Sequence, residues 1–172
     1  MELGKKLLRL FALALDQRED FFLQYVMKPM VQSRLFHYPP QEIEGADVLG
    51  VAPHSDYGMV ALLMQDPIGG LDLQKRDGEW IAAPYIEGTF VINLGDLFKV
   101  WTNDLFVSNL HRVVNRTGKQ RFSIPTFFNL DFDAPVACLP NCQSPDNPPR
   151  CQPIRSGDYL VKRFREVQKY KG

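Results

Sequence analysis

The feature that most constrains this chain is a change of hydrophobic period at Pro29. Before it, Leu3, Leu7, Leu8, Leu10, Phe11, Ala14 and Leu15 recur at three- and four-residue spacing, the pattern of an amphipathic helix. Asp16 followed by Glu19 reads as an N-cap and its partner, so a second short helix is expected to bury Phe22, Leu23 and Val26. Proline lacks the amide proton that a helix interior needs, and Pro29 closes the pattern. After it, short apolar runs alternate with turn signals. The runs are Arg34 to Tyr38, Val48 to His54, Gly58 to Met64, Leu71 to Gln74, Trp80 to Ala83, Thr89 to Leu94, Phe106 to Asn115 and Arg121 to Phe128. Many short strands separated by pairs such as Pro39-Pro40, Gly69-Gly70 and Asp77-Gly78 predict a mainly β sandwich or barrel. Short helices are expected at Asp96 to Trp101 and Tyr159 to Lys169. Between them Pro135 to Pro153 is a loop with one short strand, Val136 to Leu139. The expected organisation is a helical segment over 1–30 and a β barrel with its C-terminal helix over 31–172.

Composition narrows the function classes. With 172 residues the chain has the size of one domain. Lys+Arg and Asp+Glu number 20 each, so there is no basic excess of the kind a nucleic-acid binder uses. The longest apolar stretches, Leu10 to Leu15 and Met59 to Met64, fall far short of the ~20 residues of a membrane span. Lys5, Lys6 and Arg9 interleave with the first leucines, which does not resemble a signal peptide. The 3 cysteines, Cys138, Cys142 and Cys151, are an odd number and read as reduced thiols in a cytoplasmic protein. The expected partner is a small-molecule substrate, with no nucleic acid and no membrane; oligomeric state is left open.

Two pairs of polar residues on apolar strands carry the chemistry. His54 and Asp56 form H-x-D at the end of an expected strand, where residues i and i+2 share a face. His111 sits on a later strand. Two imidazoles and one carboxylate suit non-heme Fe(II) and leave three coordination positions open, whereas thiolates favour zinc or iron–sulfur clusters. Arg121 and Ser123 are a second i, i+2 pair. A guanidinium beside a hydroxyl is a carboxylate receptor, and an inward-facing arginine needs an anionic partner. Tyr38, just before Pro39-Pro40, is a candidate third donor to that anion. Each of these residues taken alone also reads as an ordinary core or surface side chain.

Taken in order, His54-x-Asp56, His111 and Arg121-x-Ser123 resemble the Fe(II)/2-oxoglutarate-dependent dioxygenases, in the branch with isopenicillin N synthase and plant small-molecule oxygenases. The surrounding segments are similar too: H-Y-P-P at 37–40, H-S-D-Y-G-M at 54–59, G-G-L-D-L at 69–73, D-G-E-W at 77–80, N-L-G-D at 93–96 and H-R-V-V-N at 111–115. The resemblance implies a double-stranded β-helix (jelly roll) with flanking N- and C-terminal helices. It implies Fe(II) on His54, Asp56 and His111, and 2-oxoglutarate held through its distal carboxylate by Arg121 and Ser123, with Tyr38 assisting. It also implies use of O₂, oxidation of a small organic molecule, and release of succinate and CO₂. Leu63, Val91, Val113 and Phe128 are candidate apolar walls of the site. Two features depart from the pattern. Only Met1 to Met30 precede the barrel, where members usually carry a longer helical half. Phe36 stands where many plant members have asparagine.

Two other readings remain at this point. Isopenicillin N synthase-like oxidases share these residues without consuming 2-oxoglutarate, and a barrel of this kind can serve as a non-catalytic binding module. A zinc hydrolase fits poorly, because H-E-x-x-H is absent.

Overall fold

A computed structural model describes residues 1–40 and 48–169. Helix α1 covers Glu2–Ala14, and a 3₁₀ turn follows at Phe21–Tyr25. Strands β1 (Val31–Ser33), β2 (Phe36–Tyr38), β3 (Val48–His54), β4 (Val60–Gln65), β5 (Leu71–Gln74), β6 (Trp80–Ala82) and β7 (Val91–Leu94) lead to helix α2 (Asp96–Trp101). Strands β8 (His111–Asn115), β9 (Arg121–Phe128), β10 (Pro135–Val136) and β11 (Ile154–Arg155) precede the last helix, α3 (Ser156–Lys169). No helix among the described residues is long and apolar enough to cross a membrane.

Strands β1 to β9 form two facing antiparallel sheets, and β10 pairs with β11 apart from them. One runs β1-β9-β4-β7, with β2 also on β9; the other runs β3-β8-β5-β6. From β3 onward the chain keeps crossing between sheets: β4, β7 and β9 lie in the first, while β3, β5, β6 and β8 lie in the second. That is the double-stranded β-helix the sequence led us to expect. The β5–β6 pair is a hairpin, turned at Gly78 with φ +90°, a left-handed conformation that glycine adopts without Cβ strain.

The hydrophobic core lies outside the barrel, between the first sheet and the helices. Leu8 and Ala12 of α1, Phe22, Phe98 and Trp101 pack on Val60, Leu62 and Phe128. Gly4 permits the close approach of α1: a Cβ there would lie 2.7 Å from the Phe128 ring. Removing a side chain as enclosed as Leu8 costs about 2–5 kcal/mol. The N-terminal helix therefore shares its apolar face with the barrel.

Four local expectations change. Asp16 is not a cap; its φ of 51° ends α1, and the next turn is 3₁₀, entered from Asp20 without a capping hydrogen bond. The expected strand 34–38 is extended only at Phe36–Tyr38 (β2), and a strand not expected, β1, precedes it along β9. The strand before Asn115 begins at His111 rather than Phe106, because the Phe106 N–H bonds to Thr102 Oγ1 at 3.2 Å in a turn off α2. The strand expected at 136–139 pairs only at Pro135–Val136.

Candidate active site

Strand alternation builds one cavity between the two sheets. Along β9, Arg121, Ser123, Pro125 and Phe127 line it at every second position; Leu63 and Val91 extend that wall across β4 and β7, with Val113 facing them from β8. Phe128 falls on the opposite face, in the core against α1, which corrects its expected place in the wall. The period of two identifies alternate faces, but it does not say which face the helices will cover. The cavity encloses about 310 Å³, and His54, Asp56, His111, Tyr38, Arg121 and Ser123 all line it.

Ligand atoms of His54, Asp56 and His111 lie within 4.8 Å of one another. The two histidines are register partners on β3 and β8, and His111 Nε2 is 3.8 Å from Asp56 Oδ1. Asp56 does not share a strand face with His54, as the i, i+2 reasoning supposed: β3 ends at His54 and Asp56 lies just beyond it. Its place comes from α2. The Asp96 N–H donates to the Asp56 carbonyl at 2.8 Å, and the Asn93 amide donates to Asp56 Oδ2 at 2.6 Å. Gly95 permits this packing, since a Cβ there would lie 2.2 Å from the Gly58 carbonyl oxygen and 3.0 Å from that of Asp56.

The donor set fits a divalent transition metal. His54 Nδ1 is 2.9 Å from the Ala52 carbonyl, and His111 Nδ1 is 3.2 Å from the Asn109 carbonyl. A carbonyl only accepts, so both Nδ1 atoms carry the proton and both Nε2 lone pairs are available to an ion. Burial lowers the pKa of His111, Asp56 opposes that shift and His54 adds to it. The net direction favours the neutral, ligating form.

The other end of the cavity holds a buried cation. Arg121 has 0% relative exposure. Its Nε donates to the Gly69 carbonyl, Nη1 to Ser123 Oγ at 3.1 Å and Nη2 to Gln65 Oε1 at 3.3 Å. Tyr38, its register partner, lies with its ring centroid 4.8 Å from the guanidinium carbon, a cation–π contact. Burial lowers the Arg121 pKa, with Tyr38 and Asp66 opposing; an arginine nonetheless stays charged. These three hydrogen bonds all go to neutral acceptors, and a buried guanidinium without a carboxylate is costly. Gly69 and Gly70 both have positive φ, +72° and +84°, so this turn can aim the Gly69 carbonyl at Arg121. A Cβ on Gly70 would meet the Val114 carbonyl oxygen at 2.6 Å.

Residue-type reasoning missed Asn93 and Gln65. Asn93 stands in the N-L-G-D segment and on the inward face of an expected strand, which was the available signal. Gln65 carried none, because an isolated amide fits a surface as well as a site.

Comparison with known proteins gives a consistent picture. Residues 26–130 match the model of the 2OG-Fe(II) oxygenase superfamily. The 2-oxoglutarate-Fe(II) type oxidoreductase hxnY of Emericella nidulans is 37% identical over 168 residues, covering 96% of this chain and 48% of its own. Kihadalactone A synthase LFS of Citrus sinensis is 37% identical over 175 residues, covering 97% and 52%. A full-length Neurospora crassa protein, solved in complex with alpha-KG and thymine, superposes with a TM-score of 0.91 at 31% identity, covering 96% of this chain and 53% of that one. The chain thus spans about half the length of the curated relatives it matches.

Proposed function

The chain belongs to the 2OG-Fe(II) oxygenase superfamily, and from that premise we propose that it is an Fe(II)- and 2-oxoglutarate-dependent oxygenase acting on a small organic molecule. One observation carries the reading. A two-histidine, one-carboxylate cluster and a buried arginine bonded to neutral acceptors line the same cavity. The first suits Fe(II); the second suits the distal carboxylate of a dicarboxylate cosubstrate.

In this reading His54, Asp56 and His111 hold the metal through two Nε2 atoms and one carboxylate oxygen. Asn93 keeps Asp56 oriented by bonding its other oxygen. Arg121 presents its guanidinium, and Ser123, whose Oγ already accepts from Arg121, has its own proton free to donate to the same carboxylate. Tyr38 holds the guanidinium plane from one side. When bound, iron with 2-oxoglutarate and O₂ supplies the oxidising power to remove a hydrogen atom from carbon, with succinate and CO₂ as coproducts. The protein fixes the distance between reacting groups and keeps the wall dry with Leu63, Val91 and Val113.

The free thiols of Cys138, Cys142 and Cys151 are in keeping with a reducing, cytoplasmic setting.

The test is anaerobic titration of the Fe(II)-loaded protein with 2-oxoglutarate, reading the metal-to-ligand charge-transfer band, followed by succinate and oxygen measured together. A saturating band and succinate in step with oxygen uptake are expected. Oxygen uptake without succinate favours an oxidase that does not consume 2-oxoglutarate, and no metal uptake favours a binding module.

A further inference from the structure

The wall formed by β1 and β2 carries a second guanidinium into the cavity. Gln32, Arg34, Phe36 and Tyr38 all line it. The residues between them face the other way. Ser33 Oγ is 2.8 Å from Thr126 Oγ1 on the outer surface, Leu35 is 83% exposed, and His37 stacks on Phe122 with centroids 4.6 Å apart. Arg34 lies between β1 and β2, and because both strands keep one continuous register on β9 it falls on the same side as Gln32 and Phe36.

Arg34 is not a second hand on the Arg121 ligand. Its N–H donates to the Pro125 carbonyl at 3.1 Å. Along β9 that is four residues beyond Arg121, about 13 Å at a strand rise of ~3.3 Å. Its Nε donates to Gln32 Oε1 at 3.3 Å, which fixes the guanidinium plane and leaves both terminal nitrogens to a ligand. Among the described residues no carboxylate is paired with those nitrogens.

Charge balance points the same way. Among the described residues, Arg34, Arg121 and Asp56 are the charged side chains of the lining. With a divalent cation and a dianionic cosubstrate bound, one positive charge is left over. Beside it the wall is apolar, with Phe127 in register with Gln32 and Phe164 closing from α3.

We propose that Arg34, oriented by Gln32, is the receptor for a carboxylate on the substrate, so that the substrate is a small monocarboxylic acid with an apolar body. A planar two-oxygen anion matches the two free nitrogens, and a single negative charge completes neutrality where a phosphate dianion overshoots it. This inference rests on the function proposed above.

The experiment uses calorimetry under anaerobic conditions on protein holding Fe(II) and 2-oxoglutarate. Hexanoate, phenylacetate and cinnamate are titrated against their amides, with benzyl phosphate as a dianionic control. The acids are expected to bind about tenfold or more tighter than the amides, as charged hydrogen bonds allow. Arg34→Gln removes the preference, Arg34→Lys retains part of it, and 2-oxoglutarate affinity stays the same in both. The side chain of Arg34 is solvent-exposed and its backbone bond to Pro125 does not depend on it, so these variants keep the fold. No preference for acids over amides, tighter binding of benzyl phosphate, or equal loss of acid and 2-oxoglutarate affinity in Arg34→Gln each overturns the proposal. Failure of the wild-type protein to load metal and 2-oxoglutarate overturns the underlying function as well, and that result is read before any acid is added.

Discussion

His54 and His111 face each other across β3 and β8 with ring centroids 4.2 Å apart, and each directs its Nδ1 to the carbonyl two residues upstream, Ala52 for one and Asn109 for the other. The same backbone geometry thus sets the tautomer of both rings. The two Nε2 atoms then lie beside Asp56, which among the described residues is the one carboxylate of the cavity lining.

Asp56 and Asn93 separate ligation from orientation. Asp56→Ala is expected to abolish stable metal binding. Asn93→Ala leaves the carboxylate in place but unorients it, and the expected cost is about 10- to 100-fold in metal affinity. Competition against a chromogenic chelator measures both. Equal affinity in wild type and Asn93→Ala removes Asn93 from the support of the site, and full metal loading in Asp56→Ala breaks the ligand assignment.

Arg121 lies at the other end of the cavity, so its effect should be selective. Arg121→Met keeps much of the side-chain bulk and removes the charge. The concentration of 2-oxoglutarate needed for half-maximal turnover should rise by about 100-fold, in line with loss of a charged hydrogen-bonded pair, while metal affinity changes little. Titrations of each component separately read this out. A parallel loss of both would make Arg121 a structural residue.

How much of this is legible in the sequence follows from what each residue type signals. His54, Asp56, His111, Arg121 and Ser123 are polar residues at the end of or within apolar runs, and alternation makes such residues conspicuous. They do line one cavity. Asp56 reaches it for a reason the sequence does not display, namely backbone contact with α2. Phe128 cannot be assigned to its true face from pattern alone, because a period of two is symmetric and only the packing of α1 breaks the symmetry. The start of β8 comes later than the pattern suggests, since Phe106 is strand-like only by type. Its amide is held by Thr102, and Asn103 and Asp104, with φ of 49° and 68°, turn the chain before it.

Asp72 predicts a pH dependence remote from the cavity. It is a register partner of Arg112 on the second sheet and is nearly enclosed, with hydrogen bonds from Arg116 and Arg112. Arg116, opposed by burial and aided by Arg112, holds its carboxyl below the usual value. A depressed carboxylate stabilises the fold above its unfolded pKa of about 3.9, and that contribution is lost as pH falls through the folded value. Asp72→Asn should therefore cost about 2 kcal/mol at pH 7, toward the low end for a buried pair because Arg116 is half exposed. The gap from wild type should begin to narrow below about pH 4 and go on narrowing as pH falls toward the folded value. Urea unfolding at pH 7, 5 and 3.5 tests it, and a gap that stays constant across this range would exclude the pair as its source.

Gly95 links the fold to the metal centre through backbone alone, which gives the sharpest test of how Asp56 is held. A Cβ at this position meets the Gly58 carbonyl at 2.2 Å, and no side-chain rotation can relieve that contact. The loop carrying Asp56 must shift, and with it the bonds from Gly95 N–H to Met59, Asp96 N–H to Asp56 and Leu97 N–H to Gly58. Gly95→Ala is expected to cost about 1–3 kcal/mol of stability, as overpacking does, and to weaken metal binding at least tenfold. Gly88→Ala is the control: its φ of +72° is strained for alanine, as the φ of Gly95 is not, but a Cβ there meets nothing within 4 Å. It should lower Tm without moving metal affinity. If the two variants lose stability alike and both keep wild-type metal affinity, Asp56 is positioned by Asn93 and not by the turn into α2.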